Sequence, residues 1–170
     1  MSRIVELPDG QATDWSAHDR TFIVEHELRL YLANGVLRYE AIAVAPYEKV
    51  YPSSEKLSAD GASFVVKVGD RVAAEISLSK GWNGYAHIQN LVVAQAFRRQ
   101  GLARELVERA IAWAESKCLA GVMLETQNNN VPACQLYESC GFNLQGFDSS
   151  LYRGLNLHSQ EVAVFWYLQA

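Results

Sequence analysis

The period of the hydrophobic pattern changes near residue 86, and this change restricts the fold of the chain more than any other feature. Before residue 86, apolar and polar residues alternate in four short segments, as they do in half-buried strands. Asn34-Gly35 separates the first two segments and Gly69-Asp70 separates the last two, so the pattern predicts two β-hairpins. An amphipathic helix is the alternative for the first segment, because a short apolar run fits either structure. The four segments are 22–32, 36–44, 63–68 and 71–79.

From residue 86 onward, strand-like segments alternate with segments whose apolar residues recur at helical spacing. Residues 101–118 place Leu102 and Leu106 on one face of a helix and charged residues on the other. Earlier in the chain, the stretch 46–61 contains two prolines and several serines, which predicts a loop or a short helical turn. Hairpins followed by strand–helix units indicate a mixed sheet of the α/β (α+β) class, with a binding site at the carboxyl ends of strands. The predicted order after the hairpins is strand 86–93, helix 101–118, strand 121–127, helix 132–140, strand 142–147 and strand 161–168.

The composition predicts one globular domain, residues 1–170, rather than a disordered or membrane-spanning chain. Hydrophobic residues make up 49% and charged residues 20% of the sequence. No apolar run approaches the roughly 20 residues of a membrane span, and the N-terminal stretch lacks the apolar core of a secretory signal. The formal net charge of −4 argues against nucleic acid as the main partner and suits a cationic ligand. A cytoplasmic protein without a membrane partner is therefore expected.

The cysteines and histidines do not form a metal-binding pattern. Cys118, Cys134 and Cys140 lack metal-ligand spacing, and the four histidines are scattered along the chain. We expect three reduced thiols, with Cys118 and Cys140 packed as small apolar side chains, and no metal site.

A basic loop, FRRQGLAREL, connects the predicted strand 86–93 to the helix that follows it. Gly101 permits close approach of the backbone, and Ala103 is a small residue at the start of the helix. Exposed amides at a helix N-terminus bind anions, and Arg98, Arg99 and Arg104 add positive charge there. The loop therefore predicts an anion site, with a tight turn and solvated arginines as the alternative.

A second polar cluster lies where a buried strand leads into the next helix, in the stretch LETQNNNVPACQLYESCGF. Asn130 is a candidate helix N-cap, since the proline two residues later is tolerated in a first helical turn. Asn130, Cys134 and Tyr137 recur at a spacing that places them on one helix face. Asn128 and Asn129 only shape the turn in this interpretation. The alternative for the whole cluster is a cap and a packed aromatic ring without chemistry.

A strand leads to an Arg-x-x-Gly-x-Ala loop and an amphipathic helix, and a later strand leads to an asparagine and a helical tyrosine. This order of elements resembles the GNAT superfamily of N-acetyltransferases. In this chain the residues concerned are Arg98, Gly101, Ala103, Asn130 and Tyr137. Within the superfamily, the sequence is most similar to streptothricin acetyltransferases, over most of the chain. The segments that carry this similarity are PYEKVYP (46–52), WNGYAHIQNLVV (82–93), AIAWAE (110–115), LETQNNNVPACQLYESCGF (124–142), GFDSSLY (146–152) and VFWYL (164–168).

The resemblance implies a single-domain GNAT fold, with a mixed, mostly antiparallel central sheet and helices on both faces. Residues 1–20 would form an N-terminal extension, and the core that binds coenzyme A would span about 86–147. The resemblance also implies acetyl-CoA as co-substrate, its pyrophosphate on the amides of the arginine–glycine loop and its pantetheine along the preceding strand. The cofactor-binding residues implied are Leu91, Val92, Val93, Arg98, Arg99, Gln100, Gly101, Leu102, Ala103, Arg104, Asn130, Cys134 and Tyr137.

The reaction implied by the resemblance, direct acetyl transfer to an amine, needs a general acid and a general base. Tyr137 is the predicted catalytic residue, because a phenol with an ordinary pKa of about 10 holds a proton for the departing thiolate. Streptothricin acetyltransferases often carry acids at the positions of Gln89 and Asn90, where this chain has amides. The base therefore stays open between ordered water held by these amides, a carboxylate elsewhere, and His87. The carboxylate candidates are Glu75, Glu125 and Asp148.

Aromatic and amide side chains suit a cationic acceptor, and four of them are candidates to line its pocket: Trp82, Asn83, Tyr85 and Trp166. Strand packing is the alternative for Trp166, and Trp113 is expected in the core because it lies inside the amphipathic helix. The predicted substrate-binding residues are Glu75, Trp82, Asn83, Gln89, Asn90, Glu125 and Asp148.

The resemblance predicts an N-acetyltransferase that acetylates the β-lysine amine of streptothricin and so confers antibiotic resistance. Two alternatives stay open: a GNAT enzyme that acts on another small amine or a protein amine, and a CoA-binding sensor without catalysis. The amides at Gln89 and Asn90 favour these alternatives, whereas Tyr137, Asn130 and the arginine–glycine loop favour the enzyme. The sequence is also compatible with a homodimer and does not decide the oligomeric state.

Overall fold

The computed structural model describes residues 2–53 and 60–170 of the chain. Within these residues the chain forms strands β1 to β9 and helices α1 and α2. The strands are β1 (Ser2–Glu6), β2 (Thr21–Ala33), β3 (Val36–Val50), β4 (Gly61–Val68), β5 (Arg71–Lys80), β6 (Ala86–Val93), β7 (Gly121–Gln127), β8 (Asn143–Asp148) and β9 (Ala163–Gln169). The helices are α1 (Leu102–Ser116) and α2 (Val131–Ser139), and single 3-10 turns cover Gln95–Phe97 and Leu151–Gly154.

Seven of these strands form one mixed, mostly antiparallel sheet in the order β1-β4-β5-β6-β7-β9-β8. Strands β2 and β3 pair with each other in a separate two-stranded sheet. The predicted α/β class and mixed sheet are therefore confirmed. Neither helix in the described part of the chain has the length and apolar character that a membrane span requires.

Both predicted hairpins are present. Asn34 and Gly35 have φ angles of 52° and 75°, the left-handed conformation that a two-residue hairpin turn requires at both positions. Val68 pairs with Arg71 across the second turn. The helical alternative for residues 22–32 is wrong, because β2 covers this whole segment.

The predicted loop 46–61 is wrong for its first five residues, because β3 continues to Val50. Side chains near the end of β3 explain the extension: Tyr47 donates a hydrogen bond to Glu27 across the hairpin, and Lys49 pairs with Glu161. A proline is tolerated there because β3 has a neighbour on only one side. Residues 54–59 of the predicted loop lie outside the described residues.

Strand β1 was not predicted, because its five residues lack a turn signal and a clear alternation. It pairs antiparallel with β4, from Ser2 opposite Val68 to Glu6 opposite Phe64. Part of the predicted N-terminal extension is therefore a strand of the main sheet.

The chain divides into two compact units, and each is described by itself. The first unit contains residues 1–21, 50–123 and 169–170, and the second contains residues 22–49 and 124–168. The assignment of residues 1–170 to a single acetyltransferase domain stays a prediction.

In the first unit, helix α1 packs its apolar face on strands β4, β5 and β6. Leu106, Val107 and Ala110 are fully buried there, as the helical spacing predicts. Trp113 is also buried, which confirms its expected core position. The guanidinium of Arg109 lies 4.5 Å from the centre of the Phe64 ring, a cation–π contact on the same sheet face.

In the second unit, helix α2 buries Val131, Cys134 and Tyr137. The Trp166 side chain is 1% exposed, and its ring meets the Tyr39 ring edge-on with the centroids 6.0 Å apart. The packing alternative for Trp166 is therefore confirmed.

All three cysteines are free thiols, as expected. The predicted packing of Cys118 is wrong, because this side chain is exposed. Cys118 follows the last residues of α1 with φ at 53°, a left-handed helix end that turns the side chain towards solvent. Cys140 is partly exposed.

Candidate active site

The arginine–glycine loop connects β6 to α1 in the first unit. Arg99 and Gly101 have φ angles of 64° and 84°, so two residues of this short loop adopt the left-handed conformation. Gly101 is the N-cap of α1, and no side chain caps the helix there. The amides of the first helical turn are therefore available to an anion, and the helix dipole favours negative charge at this end. This geometry fits a pyrophosphate group.

The side chains of the loop divide between core and surface. Leu102 is 5% exposed, so its side chain belongs to the core and only its backbone can serve a ligand. Ala103 is half-buried, whereas Arg99, Gln100 and Arg104 are exposed.

The Arg98 side chain makes three hydrogen bonds to backbone carbonyl groups. Its guanidinium donates to Val93 at 3.1 Å, to Thr21 at 2.9 Å and to Asp19 at 2.6 Å. The Asp19 carboxylate in turn accepts from the backbone N–H of Gln95 at 2.9 Å. Partial burial lowers the pKa of Arg98, and the nearby Asp19 carboxylate opposes that shift. Arg98 thus ties the loop to the end of β6 and to the N-terminal segment.

The strand before the loop, β6, contains a bulge at Gln89. Ser77 of β5 lies opposite Asn90 and Leu78 lies opposite Ile88, which leaves Gln89 as the extra residue. The Gln89 side chain is exposed and donates to the Ser79 hydroxyl at 2.6 Å, and Asn90 is half-buried. An amide that is held in this way has no basic atom for proton abstraction.

The last three residues of β6, Leu91, Val92 and Val93, are half-buried. They pair with β5 along one edge, opposite Ile76, Glu75 and Ala74 respectively. None of the three belongs to the fully buried core. Their placement is compatible with the predicted role beside the pantetheine, which stays a prediction.

Glu75 is buried in the first unit, with 2% of its surface exposed. Its carboxylate accepts the backbone N–H of Thr13 at 2.9 Å and the indole N–H of Trp15 at 3.2 Å. These contacts favour the structural alternative for Glu75, because the carboxylate already holds two donors of the N-terminal segment.

Trp82 and Asn83 lie in the turn between β5 and β6. Trp82 is 96% exposed, which is exceptional for a tryptophan. Asn83 lies beside His87, with Asn83 Oδ1 3.0 Å from His87 Nε2. Tyr85, the remaining pocket candidate of this turn, is half-buried. The first unit therefore brings Trp82, Asn83 and His87 into one short segment.

The second unit carries the other predicted site residues. Asn130 caps α2, as expected, through a hydrogen bond of 3.3 Å from the backbone N–H of Ala133 to its side-chain oxygen. Cys134 is fully buried, and desolvation raises the pKa of its thiol to about 12. Tyr137 is 6% exposed and packs against Phe142 with the ring centres 5.8 Å apart. Cys134 is therefore a protonated thiol at neutral pH, which does not suit a nucleophile.

The two remaining carboxylate candidates differ in their surroundings. The Asp148 carboxylate accepts the backbone N–H groups of Ser150 at 2.7 Å and Leu151 at 3.1 Å, which favours a structural role in this turn. Glu125 is the one residue of β7 that is exposed overall, yet burial partly desolvates its carboxylate. This desolvation raises the pKa of Glu125 to about 7, so it exchanges protons near neutral pH.

Asn128 and Asn129 do more than shape the turn, and that interpretation is corrected. Asn128 exchanges hydrogen bonds with Val162 and binds both backbone groups of Leu28 on β2. The Asn129 amide donates to the Tyr47 hydroxyl at 3.1 Å and to Glu161 at 3.0 Å. Both asparagines are buried, and each has partners more than 30 residues away, which a local pattern does not reveal. Three adjacent amides after a buried strand are the only sign of this network in the sequence.

Within the described ranges, 2–53 and 60–170, no group of three or more His, Cys, Asp or Glu side chains is gathered to hold a metal ion.

Comparison with known proteins places the chain in a family. Residues 36–142 match the model of the acetyltransferase (GNAT) family. The chain belongs to this family of acetyltransferases, whose members use acetyl-CoA as co-substrate.

Among its relatives is the streptothricin acetyltransferase of Escherichia coli, 36% identical over 165 residues that cover 97% of this chain and 94% of the relative. Streptothricin acetyltransferase A of Bacillus subtilis is 31% identical over 96% of this chain and 98% of its own length. A Bacillus anthracis protein described as a streptothricin acetyltransferase, crystallised with acetyl coenzyme A, superposes with a TM-score of 0.90 at 36% identity over both whole chains. A nourseothricin acetyltransferase structure gives a TM-score of 0.83 at 27% identity, with 99% of this chain and 98% of that chain covered.

Proposed function

We propose that this chain transfers acetyl from acetyl-CoA to a primary amine of streptothricin, on its β-lysine chain, and so confers resistance to this antibiotic. The observation that carries the proposal is the similarity to streptothricin acetyltransferases over nearly the whole chain, at 36% and 31% identity. The similarity in fold to the Bacillus anthracis protein with bound acetyl coenzyme A supports the choice of co-substrate.

The arginine–glycine loop is the proposed site for the pyrophosphate of acetyl-CoA. Uncapped amides of α1 and the left-handed residues Arg99 and Gly101 support this placement. Gln100 and Arg104 are exposed at the same loop, whereas Arg98 serves by holding the loop in shape. The pantetheine would follow the backbone of Leu91–Val93. In the second unit, Asn130 and Cys134 are proposed to lie beside the cofactor arm.

Tyr137 is proposed as the general acid. Acetyl-CoA supplies an activated acetyl group; a nitrogen–carbon bond forms, the carbon–sulfur bond breaks, and the sulfur leaves with the electron pair. The Tyr137 hydroxyl gives the proton that converts this thiolate to a thiol. A phenol serves this step because it is protonated at neutral pH and its packing against Phe142 restricts the ring. A buried Cys134 that stays protonated supports direct transfer without an acyl-enzyme.

The acceptor is proposed to be cationic. The net charge of −4 attracts a cation, and the exposed Trp82 ring offers a face for a cation–π contact. Asn83, Gln89 and Asn90 are proposed to contact the acceptor. Glu125 is proposed as a further acceptor residue, because its pKa of about 7 lets it change charge near neutral pH.

A second candidate is a GNAT enzyme that acts on another small amine or on a protein amine. The observation that favours it is the pair of amides, Gln89 and Asn90, where streptothricin acetyltransferases often carry acids. The same observation favours the third candidate, a CoA-binding sensor without catalysis.

Thiol release from acetyl-CoA separates these candidates. The purified protein is mixed with acetyl-CoA and streptothricin, a polyamine, or a peptide with a free amine, and the acetylated product is identified by mass spectrometry. Turnover on streptothricin supports the proposal, and turnover only on another amine supports the second candidate. Tight binding of coenzyme A without any turnover supports the sensor. Expression in a sensitive bacterium should also permit growth on streptothricin, and soluble expression without protection would count against this acceptor.

Three free thiols support a cytoplasmic location, because an oxidising compartment favours disulfides. Homodimerisation stays a prediction, which light scattering on the purified protein tests directly.

A further inference from the structure

The turn before β6 holds one imidazole ring in a defined orientation. His87, the second residue of β6, is half-buried, and its Nε2 lies 3.0 Å from Asn83 Oδ1. The same oxygen accepts the backbone N–H of Tyr85 at 3.3 Å, while the Asn83 amide nitrogen faces Met123 Sδ at 3.0 Å. Because Asn83 Oδ1 can only accept, the His87 hydrogen lies on Nε2 and the lone pair lies on Nδ1.

Gly81 makes this arrangement sterically feasible. A Cβ atom at position 81 would lie 2.1 Å from His87 Nε2 and 2.7 Å from Asn83 Oδ1. Any side chain at Gly81 would therefore displace the imidazole or the amide that orients it.

The Nδ1 atom of His87 is available to a ligand. No hydrogen bond to Nδ1 is present in the part of the chain that the structure describes. Near the ring, β5 contributes Ser79 and Lys80 and the turn contributes Tyr85. The other strand beside β6 is β7, which carries Glu125, so the titratable residues on these elements are Lys80, Tyr85 and Glu125. Burial lowers the pKa of His87 from its usual 6.5, so the ring is neutral at pH 7.

The other candidate bases are less suitable. Glu75 is buried and engaged, and the Asp148 carboxylate caps a turn. The Gln89 amide donates to the hydroxyl of Ser79, the residue opposite His87, so both side chains border the same position of β5. The His87 imidazole therefore lies on the same face of β6 as Gln89, where streptothricin acetyltransferases often carry an acid. Glu125 is the remaining rival, but no hydrogen bond within the described residues orients its carboxylate.

We propose that Nδ1 of His87 is the general base that removes a proton from the acceptor ammonium group, with Asn83 as a positioning residue. This inference rests on the proposed acetyltransferase function. One nitrogen–hydrogen bond of the ammonium breaks, a bond from hydrogen to Nδ1 forms, and the freed lone pair of the amine attacks the acetyl carbon. The acceptor nitrogen loses two protons in all. One passes through His87 to solvent, and the other replaces the proton that the general acid gives to the sulfur.

The test compares variants over pH 5.5 to 9 with acetyl-CoA and streptothricin, or with whichever amine the wild type acetylates. We expect His87→Gln to lower kcat about 100-fold at pH 7, with the acetyl-CoA Kd and the Tm close to wild type. Wild-type kcat should level off above an inflection below pH 6.5, whereas kcat of His87→Gln should keep rising with pH. His26→Gln, on an exposed position of β2, is the matched control and should match wild type.

Asn83→Asp should shift the pH at which kcat changes, and a purely structural role of Asn83 would not produce this shift. The carboxylate still accepts from Nε2, and its negative charge raises the pKa of His87, so the inflection should shift to higher pH. Gly81→Ala should lower kcat by displacing the ring, although His87 itself is intact.

Wild-type kcat and an unchanged pH profile in His87→Gln would overturn the inference. Loss of kcat in Glu125→Gln together with an active His87→Gln would assign the base to Glu125 instead. A wild-type protein without turnover on any amine would refute the proposed function itself, which separates that failure from a failure of the base assignment alone.

Discussion

Replacing Arg98 with alanine tests whether this guanidinium holds the loop together or binds the phosphates directly. The substitution removes hydrogen bonds to the carbonyl groups of Val93, Thr21 and Asp19. The side chain is half-exposed, so each bond contributes about 1 kcal/mol, and we expect the free energy of unfolding to fall by about 3 kcal/mol. For a chain of this length, that loss lowers Tm by about 10 °C.

Calorimetry of the ligand-free protein measures this effect, and isothermal titration measures acetyl-CoA binding. If Arg98 acts as a clamp that holds the loop together, Arg98→Ala lowers the Tm of the ligand-free protein. It then also weakens acetyl-CoA binding, because the loop no longer holds its shape. Arg99→Asn is the matched control, since asparagine tolerates the left-handed conformation with φ at 64°, and its Tm should stay within about 2 °C of wild type. An Arg98→Ala protein with wild-type Tm and only weaker binding would refute the clamp and assign Arg98 to the phosphates.

Three further substitutions test other residues. Tyr137→Phe removes only a hydroxyl, so we expect kcat in the thiol-release assay to fall about 100-fold with little change in acetyl-CoA Kd, and an unchanged kcat would exclude Tyr137 as the acid. Cys134→Ala should retain most of the turnover, because burial raises the pKa of this thiol to about 12; an acetylated Cys134 in intact-protein mass spectrometry of wild type would contradict this. Glu75→Ala should lower the free energy of unfolding in urea by about 3 kcal/mol, because it removes the acceptor of the half-buried Thr13 N–H and of the buried Trp15 indole N–H. Glu75→Gln keeps an acceptor oxygen and should lose less, and equal losses in both variants would point to the charge instead.

Periodicity and turn residues were sufficient to predict most of the fold. Strands β6 and β7 begin and end at the predicted residues, and α1 differs from its predicted bounds by only one or two residues. These elements alternate or repeat strongly, and a glycine lies at or shortly before the first residue of each, so local physics determines them. Strand β1 is different: it has weak alternation, and it is a strand because β4 offers an unpaired edge.

The sequence predicted which residues belong to the candidate site but not the contacts that these residues make. Asn130 caps its helix as expected, because a cap depends on the next three residues. Arg98 was expected to face an anion, and its three carbonyl partners include two from residues near position 20, which no local pattern indicates. Asn128 and Asn129 were underestimated for the same reason. Long-range hydrogen bonds determine the positions of these side chains, and such bonds can be identified only in the folded chain.

The exposed Trp82 gives the protein an internal optical probe. Of the four tryptophans, the other three are each at most 8% exposed, so acrylamide or iodide should quench the fluorescence of Trp82 almost alone. A bound acceptor that covers the indole would protect it from the quencher, and the protection would follow acceptor concentration without a label or turnover. Binding of the acceptor can thus be measured in variants that have lost all catalysis.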